Sequence, residues 1–145
     1  MDQYALIYNV DSNLPKIKVN IVRIRQVFNN LVKNALDASP RDIKSNIIIS
    51  IRLVDYLNNE HIEIEIEDHG SGIPENLLGT VFDPYVTSKS KGSGLGLAIV
   101  KKILEEHDGM VALRNKKERG AVVLVRIPSS DIKGDTPTPL GDMRT

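Results

Sequence analysis

The chain contains no cysteine, which excludes a disulfide framework and a thiolate metal site and fits a reducing, cytoplasmic compartment. Neither sign of charge dominates, since nineteen Lys and Arg balance nineteen Asp and Glu. A general affinity for nucleic acid or an anionic membrane surface needs a basic excess, so neither partner is expected. No apolar run reaches the length of a membrane span and no signal-peptide pattern is present. Direct membrane contact by this segment is therefore not expected, although a longer parent protein could be membrane-anchored. No internal repeat divides the chain. Its 145 residues are the length of one domain, enough for a buried core.

Residues 4–10 read as a strand, with Tyr4, Leu6 and Tyr8 on one side and Ala5 and Ile7 on the other. A turn over 11–15 and a short extended piece over 17–19 lead to a helix. Asn20 serves as its N-cap and it runs to about Ser39, with Ile24, Val27, Phe28, Leu31, Ala35 and Ala38 on one face. Two strands follow over 47–57 and 61–67. In the second, Ile62, Ile64 and Ile66 face inward while Glu63, Glu65 and Glu67 face outward. Residues 73–92 are too long for an ordinary connection and read as a mobile lid, anchored at one end by Phe82, Pro84 and Tyr85. A second helix spans 95–107, with Leu97, Val100, Ile103 and Leu104 on one face, and ends at Asp108-Gly109. Residues 110–115 and 121–127 form a hairpin. Residues 129–145 are rich in Ser, Thr, Pro, Gly and Asp and read as a disordered tail or linker, leaving residues 1–128 as the domain. This order predicts an α/β two-layer sandwich: helices on one face of a mixed, roughly five-stranded sheet.

The chemistry gathers in residues 67–96. Asp68 falls in phase with the isoleucines and points inward, where a lone carboxylate is costly unless hydrogen-bonded. Gly70 and Gly72 follow at once. A buried Asp can accept a hydrogen bond from an exocyclic amine, and glycines let backbone approach a ring without an intervening Cβ. The competing reading of Asp68 is a turn residue bonding its own backbone. A second cluster, Gly92-Ser-Gly94-Leu95-Gly96, opens the second helix, where free N–H groups and a positive dipole end suit a phosphate. The stretch thus reads as an adenine pocket, a lid and a phosphate cradle. On the first helix, Asn30 and Asn34 are one turn apart beside the apolar face, with Asp37 on the same flank. Asparagine is a poor helix former, so the pair marks either a functional stripe, a solvated edge, or side chains bonding nearby backbone.

These motifs resemble, in order and spacing, those of sensor histidine kinases. Asn30-Leu-Val-Lys-Asn34-Ala35 resembles their N-box, and Asp68-His-Gly70-Ser-Gly72 their first glycine box. Phe82-Asp-Pro84-Tyr-Val-Thr87-Ser-Lys89 resembles their F-box, and Gly92-Ser-Gly94-Leu95-Gly96-Leu97 their second glycine box. Gly120, opening the last strand, is similar to their final glycine position. The match extends from about residue 4 to 128 and is most similar to the nitrogen-regulation type. The wider superfamily also holds DNA gyrase, mismatch-repair ATPases, heat-shock chaperones and anti-sigma-factor kinases.

The resemblance implies ATP and Mg²⁺ as cofactors. It implies that Asn34 gives its side-chain oxygen to Mg²⁺, that Asp68 accepts the adenine amine, and that Gly70, Gly72 and Ile73 let the base lie close. It further implies that Lys89 reaches the phosphates from the lid, where Phe82 and Thr87 also lie. Gly92, Gly94, Leu95, Gly96 and Leu97 would then form the phosphate end, with Asn30 near it. Asp37 stands where relatives often carry Lys, and an acid there would either weaken a phosphate contact or tune the metal site.

The family passes phosphate to a histidine on a separate helical dimerisation domain and then to a response regulator. His61, His69 and His107 do not fit the acceptor pattern; they read as a strand-surface, a pocket-rim and a helix-end histidine. The expected function is therefore the catalytic half of a protein histidine kinase. Two alternatives stand beside it. One is an ATP-hydrolysing or serine-phosphorylating relative, against which stands Asn30, since a neutral amide cannot act as general base where hydrolytic relatives place Glu. The other is a nucleotide-binding module without phosphotransfer.

Overall fold

The computed structural model describes residues 4–39, 45–86 and 96–129. Among the described residues, five strands form one sheet in the order β1-β2-β3-β5-β4, where β1 is Tyr4–Val10, β2 Ser45–Tyr56, β3 Asn59–Glu67, β4 Met110–Asn115 and β5 Ala121–Pro128. Only the β1–β2 pairing is parallel; the other three are antiparallel. A parallel pair needs a crossover connection, and helix α1, Ile21–Ala38, supplies it. Helix α3, Gly96–Glu106, lies beside α1. The expected architecture is the observed one. A four-residue helix α2, Glu75–Leu78, was not expected, because one turn is too short for an apolar period to show.

The core lies between the helices and one face of the sheet. Val27, Leu31 and Ala35 of α1 and Val100, Ile103 and Leu104 of α3 meet Ile47 and Ile49 of β2, Ile62, Ile64 and Ile66 of β3, and Val123, Val125 and Ile127 of β5. Each Val, Leu or Ile side chain among them contributes about 1.5–3 kcal/mol when fully buried. The two-residue period of β3 puts its isoleucines in this layer as expected. Asn20 caps α1 as expected, its Oδ1 accepting from the Arg23 N–H at 3.1 Å.

The outer face of the sheet departs from the simple alternation. Glu63 faces outward but is only 6% exposed. It sits between two guanidinium groups, with Arg52 Nε at 2.9 Å and Arg126 Nη2 at 3.0 Å, and Arg126 also lies over the Tyr56 ring at 4.6 Å. A buried carboxylate is tolerated because both its oxygens are paired. His61, expected on the strand surface, is also buried. Its ring meets Tyr56 edge-on and its Nδ1 lies 3.0 Å from the Asn59 carbonyl oxygen.

Among the described residues, no helix is long and apolar enough to cross a membrane. Ser129 is buried and its N–H donates to the Glu60 carbonyl at 2.9 Å. The remainder of the expected tail, residues 130–145, lies outside the described residues.

Candidate nucleotide site

At the end of β3 the chain leaves the sheet through Asp68, which is 7% exposed. Its N–H donates to the Ala121 carbonyl at 3.0 Å. Its Oδ1 accepts from two backbone amides, Gly70 N–H at 2.9 Å and Ala121 N–H at 3.2 Å. The bond to Gly70 is the turn-type contact that competed with the ligand reading. Both bonds fall on one oxygen, and Oδ2 takes part in neither. The two readings are therefore compatible: one oxygen fixes the corner and the other can meet a donor.

The glycines of this corner are demanded by close packing. A Cβ on Gly70 would run into the Ala38 carbonyl at the last turn of α1. Gly120 has φ +118°, and a Cβ there would overlap the Asp68 carbonyl. Gly72 has φ +78°, a left-handed conformation that side chains other than glycine adopt at a cost. The last turn of α1, the end of β3 and the start of β5 thus converge within van der Waals reach.

The two helices complete the surroundings. Asn30 Nδ2 donates to the Gly96 carbonyl at 3.4 Å, a backbone-bonding role that spans from α1 to the start of α3. Asn34 is half-buried one turn further along α1, and Asp37 is exposed. At the opposite end of the helix pair, the Asn20 N–H donates to His107 Nε2 at 3.0 Å, and His107 Nδ1 lies 2.8 Å from the Ile103 carbonyl. With Nε2 accepting from Asn20, Nδ1 is placed to donate to the Ile103 carbonyl. Beside it Arg23 pairs with Glu106 at 2.6 Å, and this hydrogen bond lowers the Glu106 carboxyl below its ordinary range.

The other expected site residues divide into two groups. Ile73, Phe82 and Leu97 are half-buried, as are Gly72 and Gly96. Thr87, Lys89, Gly92, Gly94 and Leu95 lie outside the described residues, so the phosphate cradle and the far end of the lid do too. His69, expected at the rim, has its Nδ1 2.9 Å from the Asn46 carbonyl and its Nε2 3.6 Å from Glu67. Sequence reasoning missed Asn115 at the end of β4 and Lys116 and Arg119 of the β4–β5 loop. Asn115 bonds Ile73, Lys116 reaches Glu67 at 3.4 Å, and Arg119 donates to the Gly70 carbonyl at 3.2 Å. Their one local signal was a polar residue ending a strand before a charged turn, which reads equally well as an ordinary hairpin tip.

Comparison with known proteins agrees with this fold. The family described as histidine kinase-, DNA gyrase B-, and HSP90-like ATPase matches residues 19–131. A putative NtrY-like sensor histidine kinase of Rickettsia bellii is 34% identical over 130 residues, covering 88% of this chain and 21% of that protein. The sensory histidine kinase/phosphatase NtrB of Rhizobium meliloti is 35% identical over 140 residues, covering 90% of this chain and 37% of that protein. The chain thus spans well under half the length of these relatives. Among solved structures, the nucleotide-free catalytic domain of histidine kinase ThkA superposes with a TM-score of 0.73 at 31% identity, covering 87% of this chain and 80% of that one. The mycobacterial sensor histidine kinase MprB gives 0.75 at 25% identity, covering 87% and 82%.

Proposed function

Because the chain belongs to the histidine kinase-, DNA gyrase B-, and HSP90-like ATPase family, we propose that it is the ATP-binding catalytic domain of a two-component sensor histidine kinase. The observation that carries the reading is the buried Asp68, pinned through one oxygen against a glycine corner that the last turn of α1 adjoins at Ala38. In this reading Asp68 accepts the adenine amine, and Gly70, Gly72, Ile73 and Leu97 surround the base. Phe82 anchors the lid that carries Thr87 and Lys89. Gly92, Gly94, Leu95 and Gly96 line the phosphates at the start of α3.

The donor set suits Mg²⁺ brought in with the nucleotide. Among the described residues no cluster of three or more His, Cys, Asp or Glu could hold an ion alone. A single amide oxygen from Asn34 is what an ion otherwise held by phosphates and water requires. When bound, Mg²⁺ neutralises the charge that spreads over the phosphate oxygens during transfer. Asn34 would hold it, and Lys89 would supply positive charge to the phosphates. Asp37 is exposed one turn further along α1, where an acid either weakens a phosphate contact or tunes the metal site.

Asn30 spans the helices by donating to Gly96, and as a neutral amide it takes no proton from water. The nucleophile is instead a histidine on a separate dimerisation domain of the parent protein, and a response regulator receives the phosphoryl group from it. The chain works in the cytoplasm, whether or not its parent is membrane-anchored.

One preparation tests this in two assays. ATP turnover by the chain alone stays near background, while a matching histidine-bearing helical domain becomes labelled from γ-labelled ATP. Asp68→Ala weakens ADP binding roughly tenfold to a hundredfold, the scale of an unpaired buried amine, and slows labelling with it. Brisk turnover without the helical domain, abolished in Asp37→Asn, would identify a hydrolytic ATPase instead. Tight ADP binding with neither turnover nor labelling would identify a binding module.

A further inference from the structure

The function proposed above gives the β4–β5 loop no part, yet this loop holds both ends of the glycine corner. Asn115 Oδ1 accepts from the Ile73 N–H and its Nδ2 donates to the Ile73 carbonyl, each at 2.8 Å. One side-chain amide thus satisfies both polar groups of one backbone residue, as a neighbouring strand would. Its Oδ1 also lies 2.7 Å from where a Cβ on Gly72 would stand, so it is seated directly against the Gly72 backbone. Four residues further on, Arg119 Nε donates to the Gly70 carbonyl, and Ala121 fixes Asp68 itself. Residues 70 to 73 are therefore registered against Asp68 by a single hairpin.

We infer that Asn115 is a positioning residue for base recognition: it sets the Gly72–Ile73 wall relative to Asp68 and thereby the preference for adenine over guanine. The inference rests on the reading of Asp68 as the base anchor. A carboxylate oxygen accepts from an amine and repels a carbonyl oxygen. Adenine presents the amine at the ring position where guanine presents the oxygen. That difference is felt only if the ring is held in one plane and one register against Asp68. The Gly72–Ile73 backbone provides the second point of contact that defines the register, and Asn115 fixes that backbone in both its donor and its acceptor. A loosened wall lets either ring tilt away from Asp68, so ADP loses more than GDP.

Calorimetric titration of ADP and GDP against the whole chain tests this. The unaltered chain prefers ADP. Asn115→Leu, close in shape but without either hydrogen bond, weakens ADP about tenfold, the scale of one or two lost neutral hydrogen bonds. It weakens GDP less, so the preference narrows. Asn115→Asp keeps the acceptor toward the Ile73 N–H but sets a carboxylate oxygen against the Ile73 carbonyl, so it weakens ADP at least as much, and it carries the test if the Leu variant does not fold. Ile127→Val, at the far end of β5, lowers the melting temperature without changing the ratio. An unchanged ADP-to-GDP ratio in both Asn115 variants, with only stability reduced, overturns the inference and leaves the kinase reading standing. An unaltered chain that binds both nucleotides equally removes Asp68 as the discriminating group, and the inference falls with it.

Discussion

On the hairpin side of the site, Asp68 to Ile73 is held by directed polar contacts: backbone amides on Asp68 Oδ1, the Asn115 amide on Ile73, and glycines that admit carbonyls at close range. On the helix side, Asn30 and Asn34 ride on α1, which is fixed by burying Val27, Leu31 and Ala35 in the layer that also holds Val100, Ile103 and Leu104 of α3. Hydrogen bonds are directional and individually modest, whereas apolar burial is non-directional and cumulative. The first arrangement suits a wall that must match one ring; the second suits a platform that must only be firm. The ion pair between the helices sits at their rim, where Arg23 and Glu106 are both partly exposed.

The sharpest test of this contrast removes burial from the platform. Leu104 is fully buried, and Leu104→Ala should lower unfolding free energy by about 2–5 kcal/mol, as core truncations do when the site cannot collapse. Denaturant unfolding measures it. A loss below about 1 kcal/mol would mean that burial does not hold the helix wall. The hairpin side breaks differently. Gly120→Ala combines φ +118° with overlap on the Asp68 carbonyl and should cost roughly 2 kcal/mol. Gly79, just after α2, has φ −74° and nothing within 4 Å of a Cβ. Gly79→Ala should be neutral or stabilise by about 0.4–1 kcal/mol through the unfolded chain. Equal effects at the two glycines would show that Gly120 is not a packing requirement.

The difference between the walls also explains what could be read in advance. The helix wall was legible because its forces write a period: Val27, Leu31 and Ala35 recur at helical spacing, and Ile62, Ile64 and Ile66 at strand spacing. Asp68 was legible because it continues that strand phase into a glycine pair. The role of Asn115 was not, because its partner Ile73 is 42 residues away in sequence and a single Asn carries no period. The burial of Glu63 was hidden for the same reason, since its partners Arg52 and Arg126 come from two other strands. The order β1-β2-β3-β5-β4 likewise depends on pairings between strands distant in sequence, which local pattern does not encode.

The smallest expected effect tests whether the polar rim of the helix wall matters at all. Arg23 donates to Glu106 across the α1–α3 contact, and this lowers the Glu106 carboxyl in the folded chain, the Arg23 hydrogen bond being the largest cause. A carboxyl lowered by folding adds stability above its unfolded titration range, and that stability is lost as pH falls through the folded value. Glu106→Gln should therefore lower the melting temperature slightly at neutral pH, on the order of one degree for so exposed a pair. The gap between the two proteins should close as pH falls through the lowered titration of Glu106, where the parent carboxyl itself becomes protonated. Taking the difference cancels the titrations that both proteins share. Added salt should shrink the neutral-pH gap as well, because an exposed pair is screened. If Glu106→Gln instead costs as much as Gly120→Ala, the helix wall is held by its polar rim, and the contrast between the two walls fails.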